Sequence, residues 1–344
     1  MTGAGRPKPY RINLALQGGG AHGAVTWGVL DRLLEDERLE FDGISGASAG
    51  AMNGAIVAHG LAEHGFTPEG RQAARDGLRR FWTGIGDAAR FSPLQPSPLD
   101  RLVSNGNLDF SPGFHAVDML WRTLSPYQFN PMNLNPLRDL LAEMVDFKRL
   151  SGAGPLQFFV SVTNVMTGQL EVFAKEKVSI DVLLASACLP QLFRAVEIDG
   201  AAYWDGGYTG NPALFPLMNH CQSPDIVVVQ VNPIHARRAP VTATEIGDRV
   251  NEISFNSSLL RELRTIAYLT KLIDAGHVDP KAGLVRAYVH MIHAEEDMQG
   301  LGVSSKFNAE PAFLEQLYRI GRKTADAWLH RNYRALGQRS TLGK

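Results

Sequence analysis

An α/β fold with a central sheet of largely parallel strands is the class this sequence predicts, and three observations predict it. Two strand, glycine turn and helix units follow one another within residues 11–59. Between them Val25, Val29, Leu30, Leu33 and Leu34 recur at helical spacing. Later runs at 156–162 and 226–231 have the continuous apolar character of strands buried on both faces.

In chain order, residues 1–9 are rich in Gly and Pro and are expected to lack regular structure. Residues 11–16 form the first strand, a glycine loop spans 17–23, and a helix follows to about Glu37. A second strand ends near Ile44, and an Ala-rich helix runs over 49–59. The character then changes over 67–150. Arg71, Arg75 and Arg79 lie four apart on one helical face and lead into Phe81-Trp82. Pro, Asn, Met and aromatic residues follow without a long period until 137–145, so this stretch reads as an irregular cap inserted into the α/β core. The arginine stripe suits a solvated helix face, with docking on an anionic interface as the functional alternative.

The sheet resumes at 156–162, with 171–174 pairing beside it, and a short helix at 181–189 is stopped by Pro190. Residues 196–204 read as a hairpin whose two-residue turn is Asp199-Gly200. After the buried strand at 226–231, residues 243–275 are helical, 284–292 strand-like and 311–336 a long amphipathic helix. The basic tail beyond Arg334 is expected to fray.

Composition narrows the function. The chain has 344 residues, 44% hydrophobic and 20% charged, which allows a large core. A net charge of −1 gives no electrostatic footprint for nucleic acid. Cys188 and Cys221 are the only cysteines, too few for a disulfide framework and suited to a reducing compartment. The apolar stretch 12–16 is too short for a signal-peptide core, and no run approaches ~18 apolar residues. A cytoplasmic protein with at most peripheral contact with a membrane is therefore expected. No metal-ligand spacing is visible, and no cofactor is expected.

Two glycine motifs carry the chemistry. Gly46-Ala47-Ser48-Ala49-Gly50 sits between a strand and a helix, the context that turns G-x-S-x-G into a nucleophile elbow. Gly18-x-Gly20-x-x-Gly23 matches a dinucleotide fingerprint, which also wants an acid at the far end of the next strand. Asp42 has about the right separation but precedes Ile44, at the wrong end. Consecutive glycine N–H groups at a helix start serve an oxyanion equally well, and beside a serine elbow they favour acyl transfer. A serine nucleophile needs a base. Asp199 is explained by its hairpin turn and Asp76 by a charged helix, whereas Asp205-Gly206-Gly207 follows apolar Tyr203-Trp204 and is either a base or an ordinary tight turn. A triad in the order Ser48, Asp205, then His290 or His293 is the rival arrangement; these histidines have opposite parity, so at most one faces a site.

Together, Gly-Gly-Gly-Ala-His-Gly at 18–23, Gly-Ala-Ser-Ala-Gly at 46–50, Asp-Gly-Gly at 205–207 and Asn211-Pro212 resemble the patatin-like phospholipase family in order and spacing, over about residues 12–218. The resemblance implies a three-layer α/β/α fold in which Ser48 is the nucleophile, Asp205 its base, and the backbone of Gly18, Gly19 and Gly20 the oxyanion hole. Position 22 is His where many members carry Arg or Lys, so the charge there becomes titratable, and His22 is expected to contact an anion or substrate. Residues 189–193 match the family's Pro-rich segment only loosely. The expectation is one α/β domain over 1–344, with a catalytic core at 12–218, a cap at 67–150 and a C-terminal α/β extension at 219–336. Its partner is a lipid ester, with phospholipid or lysophospholipid first; oligomeric state is left open. Another hydrophobic ester, such as an intracellular polyester, is the alternative substrate. A lipid- or nucleotide-binding module without turnover is the alternative class.

Overall fold

The computed structural model describes residues 8–152, 154 and 156–342; the N-terminal expectation for residues 1–7 lies outside them. Each early strand hands the chain to a helix that returns over the sheet, so the strands run parallel. β1 (Tyr10–Leu16) passes through a 3₁₀ turn at Gly20–His22 into α1 (Gly23–Glu35), and β2 (Leu39–Gly46) passes into α2 (Ala49–Leu61).

The next segment departs from expectation. α3 (Pro68–Ala89) is a regular helix whose Ala74, Leu78, Phe81 and Trp82 are buried in the main core. Its arginine stripe is largely engaged within the fold: Arg71 is buried, Arg75 half-buried, and only Arg79 is exposed. The Arg71 guanidinium donates to the carbonyls of Leu34, Asp36, Leu39 and Phe66, Arg75 pairs with Asp31 and Glu35, and Arg79 reaches the Tyr318 hydroxyl. Helical spacing located the stripe, but its acceptors are distant in sequence.

Beyond α3 the Pro-rich stretch is a string of short helices: α4 (Pro98–Val103), α5 (Pro112–Thr123), α6 (Pro126–Phe129), α7 (Pro136–Met144) and α8 (Phe147–Ser151). Four of them open on Ser-Pro or Asn-Pro, with the polar residue at the N-cap and Pro at the first helical position. Pro98, Pro112, Pro126 and Pro136 are therefore helix starts, where a missing N–H costs nothing, while Pro93, Pro96 and Pro131 lie outside the helices.

The remaining elements are β3 (Gln157–Asn164), β4 (Leu170–Ala174), α9 (Ile180–Ser186), β5 (Val196–Ile198), β6 (Ala201–Asp205), α10 (Phe215–His220), β7 (Asp225–Gln230), α11 (Ala243–Asp274), β8 (Tyr288–His293) and α12 (Pro311–Asn332). The eight-stranded sheet runs β5-β6-β3-β2-β1-β7-β8, with β4 paired to β3. β3, β2, β1, β7 and β8 are parallel to their neighbours in that run, whereas β4 and β6 pair antiparallel with β3 and β5 with β6. On β7, Val227 and Val229 join the core under α1, α2, α3 and α12, while Ile226 and Val228 join the core with Leu214, which caps α10, Leu217 of α10, and Leu259 and Ile266 of α11. That alternation across one strand makes the fold three layers, α/β/α. Among the described residues no helix is long and apolar enough to cross a membrane.

Through residue 342 the basic tail does not fray. Gly337 N–H donates to the Asp225 carboxylate, Thr341 N–H donates to the Val289 carbonyl, and Leu342 packs on the second core. Long-range acceptors at the start of β7 and β8 hold it, and nothing local in its sequence indicates them.

Candidate active site

Sheet register assembles the site. Gly46, at the end of β2, pairs with Val160 of β3, and Asp205, at the end of β6, pairs with Val162 of the same strand. β3 thus brings the serine turn and the aspartate to one edge of the sheet. The two are 157 residues apart in sequence, from 48 to 205.

Ser48 stands between β2 and α2 at φ 52° and ψ −127°, a left-handed backbone for a residue with a Cβ. Such conformations cost roughly 1–3 kcal/mol and persist only where the surroundings hold them. Here its N–H donates to Ser186 Oγ at 2.9 Å, and Ser186 Oγ donates in turn to the Ser161 carbonyl at 2.8 Å. The strain falls on the serine and not on the flanking glycines, neither of which has positive φ. Those glycines serve close approach, since a Cβ on Gly50 would collide with the Leu16 carbonyl. Ser48 is the N-cap of α2, yet its hydroxyl makes no capping bond and remains available.

Asp205 is fully buried. Its Oδ1 accepts the Gly207 N–H at 2.7 Å, and its own N–H donates to the Cys188 carbonyl. Oδ2 has no hydrogen-bond partner among the described residues. The Ser48 hydroxyl is close enough to help lower the Asp205 pKa without closing a bond to Oδ2, a looseness common before substrate binds. Burial dominates and pushes the carboxyl up from 3.8 to about 7, against the opposing pull of Gly207 N–H, Ser48 and the Lys306 charge. A carboxylate that is a poor base at its ordinary value becomes one matched to neutral pH.

This shift has a measurable cost in stability. An acid whose folded pKa is raised binds its proton more tightly folded than unfolded, so the stability it contributes below about pH 4 is lost as pH rises to about 7. Asp205→Asn, neutral at every pH, should therefore be more stable than the wild type near pH 8, by roughly 4 kcal/mol at most. The gap should close as pH falls from about 7 toward 4; thermal melts of the two proteins across that range check the sign.

Three glycines were expected to line the oxyanion hole, and the structure separates them. Gly18 N–H is spent on Asn211 Oδ1 at 2.7 Å, so Gly18 offers no free donor. The N–H groups of Gly19 and Gly20 have no acceptor among the described residues and are the ones left for an oxyanion. The loop is held rigid by side chains: Gln17 Oε1 accepts the N–H groups of Val231 and Asn232, and Asn232 Nδ2 donates to the Gly18 carbonyl at 2.7 Å.

His22 also differs from expectation. It is buried, and its Nε2 lies 2.8 Å from Ser305 Oγ. That hydroxyl donates its own proton to the Gly302 carbonyl, so His22 Nε2 is the donor in the pair and the ring is the neutral Nε2–H tautomer. Burial first, and the Lys306 charge second, drive its pKa down to about 3. His22 supplies no titrating charge near neutrality. His22→Gln should accordingly leave the pH–rate profile between about pH 5 and 8 unchanged, with the acid limb still near the Asp205 value; kcat/KM on a short activated ester measures it.

The histidines of the rival triad lie elsewhere. His290 Nε2 bonds Asp225 Oδ1 at 2.8 Å with both side chains fully buried, and Tyr10, at the start of β1, donates to Asp225 Oδ2. That cluster sits at the opposite end of the parallel strands from the elbow, and His293 is exposed. Neither histidine completes a triad with Ser48. The sequence reading missed Ser186, Asn232 and Lys306 and gave Asn211 no role. Asn211 and Asn232 each lie close to a recognised motif or strand, but Lys306 carries no local signal.

A family model described as Patatin-like phospholipase matches residues 14–218. The uncharacterized protein YjjU of Escherichia coli (strain K12) is 29% identical over 202 residues, which cover 58% of this chain and 46% of that protein. The match thus spans less than half of that relative's length. Among solved structures, VipD from Legionella pneumophila is similar with a TM-score of 0.37 at 17% identity, covering 90% of this chain and 67% of that one.

Proposed function

The chain belongs to the patatin-like phospholipase family, a family of lipid acyl hydrolases, and on that premise we propose that it hydrolyses carboxylic esters of lipids through a Ser48–Asp205 dyad. The observation that carries this reading is the pairing of a strained, uncapped Ser48 with a buried Asp205 whose pKa is raised to about 7. Asp205 takes the hydroxyl proton as Ser48 Oγ attacks the acyl carbonyl. The resulting oxyanion is received by the N–H groups of Gly19 and Gly20, with the N-terminus of α2 favouring negative charge beside it. Collapse expels the alcohol, which takes the proton back from Asp205, and water repeats the cycle to release the fatty acid and free Ser48.

A long-chain lipid is supported as substrate by the cap. Met119, Tyr127, Met132 and Leu134 are largely exposed there, and Arg194 donates to the carbonyls of Tyr127 and Pro131, tying this stretch to the segment that carries Cys188 beside Asp205. Phospholipids or lysophospholipids are the first substrates to try, met by a protein of the cytoplasm touching a lipid surface peripherally. The test is a hydrolysis panel of phospholipids, lysophospholipids, neutral glycerides and polyesters with Ser48→Ala as blank. Release of fatty acid from the phospholipid group, lost in the blank, is the expected result. Activity confined to polyesters, or equal in the blank, would contradict it.

A further inference from the structure

We propose that Lys306, far outside the stretch matched by the family, is a positioning residue of the ester-hydrolysing site: its ammonium holds Asn232 on the glycine loop and supplies the positive charge that acts on Asp205. The inference rests on the Ser48–Asp205 reading.

Lys306 lies on a 3₁₀ turn, Val303–Phe307, that packs directly against the glycine loop. Gly20 has φ +58°, and a Cβ there would come 2.5 Å from the Lys306 carbonyl oxygen, so the turn seats only against a glycine. Ser305 of the same turn bonds His22. A partly buried lysine ordinarily sends its ammonium outward to water. Lys306 does the reverse: Nζ donates to Asn232 Oδ1 at 2.8 Å and Asn251 Oδ1 at 2.7 Å and lies 5.4 Å from the Phe255 ring centre. Asn232 is fully buried and passes the contact on through its Nδ2 to the Gly18 carbonyl. Lys306, Asn232 and Gly18 thus form one chain from the ammonium to the oxyanion loop.

The charge is not cancelled where it sits. Its direct partners are two neutral amides, and no carboxylate among the described residues pairs with it. The charged and titratable groups acting on it are Glu252 and Asp248 of α11, Asp205 of β6 and His22 of the loop. Glu252 is already paired with Arg249, and Asp248 accepts the Val303 N–H while feeling Asp109. Burial lowers the lysine to about 8, so it stays mostly charged at neutral pH. There it lowers both Asp205 and His22. A cation at this position favours the ionised base before attack and the oxyanion afterwards.

Two substitutions test it. Lys306→Met removes the charge and keeps the stem; Asn251→Asp keeps the lysine and its contact but sets a countercharge against it. The readouts are circular dichroism, kcat/KM on a short activated ester, and the rate of fluorophosphonate labelling at Ser48 as a function of pH. Lys306→Met should move the acid limb up by about one pH unit and lower the plateau by about tenfold to a hundredfold. Asn251→Asp should move the limb in the same direction by less. A folded Lys306→Met with its acid limb in place overturns the inference by leaving the lysine a purely structural role. Should that variant not fold, an unmoved limb in Asn251→Asp overturns it equally. A wild type that does not label at Ser48 overturns the dyad and this inference together, whereas normal labelling with unmoved limbs overturns this inference alone.

Discussion

Ser48→Ala and Asp205→Asn should each lower ester turnover by about 10⁴-fold or more, and the double variant should lose little beyond either one. The two act as a unit: without the serine there is no acyl acceptor, and without the carboxylate the hydroxyl keeps its proton. Non-additivity is the informative part, because two independent contributions would multiply. The geometry makes the expectation specific to these residues. Ser48 is the residue of the elbow with positive φ, and Asp205 Oδ2 is a buried carboxylate oxygen without a partner among the described residues. Parallel kcat/KM measurements on a short activated ester, with circular dichroism to establish folding, decide the matter. A double variant that falls by the product of the single losses would contradict the dyad.

His290→Ala should destabilise the fold by about 3 kcal/mol or more while leaving ester turnover within about tenfold of the wild type. His290 and Asp225 are both fully buried, and the carboxylate also receives the Tyr10 hydroxyl and the Gly337 N–H. Removing the ring leaves Asp225 short of a partner in the interior and releases Thr341, which bonds the other ring nitrogen. The loss should appear as a lower denaturant midpoint with an unchanged slope. A triad reading requires the opposite pattern, a catalytic loss of several orders of magnitude with the midpoint unmoved.

These two sites mark what was legible in the sequence. The elbow, the glycine loop and the Asp-Gly-Gly turn are local patterns, since each turn requires its own residue types in consecutive positions. Strand and helix order followed from periodicity for the same reason, and the Asp199-Gly200 hairpin emerged as read, with φ 49° and 81° in its turn. What stayed hidden depends on partners far away in the chain. Arg71 finds carbonyls on the preceding strand and helix, the tail finds Asp225, and Lys306 finds Asn232 across 74 residues. Gly18, Gly19 and Gly20 look equivalent as a run of glycines; only Asn211, reaching across the fold, spends the Gly18 donor and leaves the other two. His22 reads as a titratable charge because it stands where many members of the family carry Arg or Lys, but its burial under Ser305 keeps it neutral. Pro98, Pro112, Pro126 and Pro136 of the cap differ from expectation for another reason: each sits at the first helical position behind a Ser or Asn N-cap, where a breaker becomes a helix start.

The central claim, that Ser48 is activated by Asp205, is tested most directly by mapping fluorophosphonate adducts by mass spectrometry in the wild type and in Asp205→Asn between about pH 5 and 9. The account predicts one adduct, on Ser48, whose rate of formation rises through a midpoint near the Asp205 value of about 7 in the wild type. In Asp205→Asn the same adduct should form slowly and without that midpoint. An adduct on another residue, or an Asp205→Asn protein that labels at the wild-type rate with the wild-type pH profile, would contradict it.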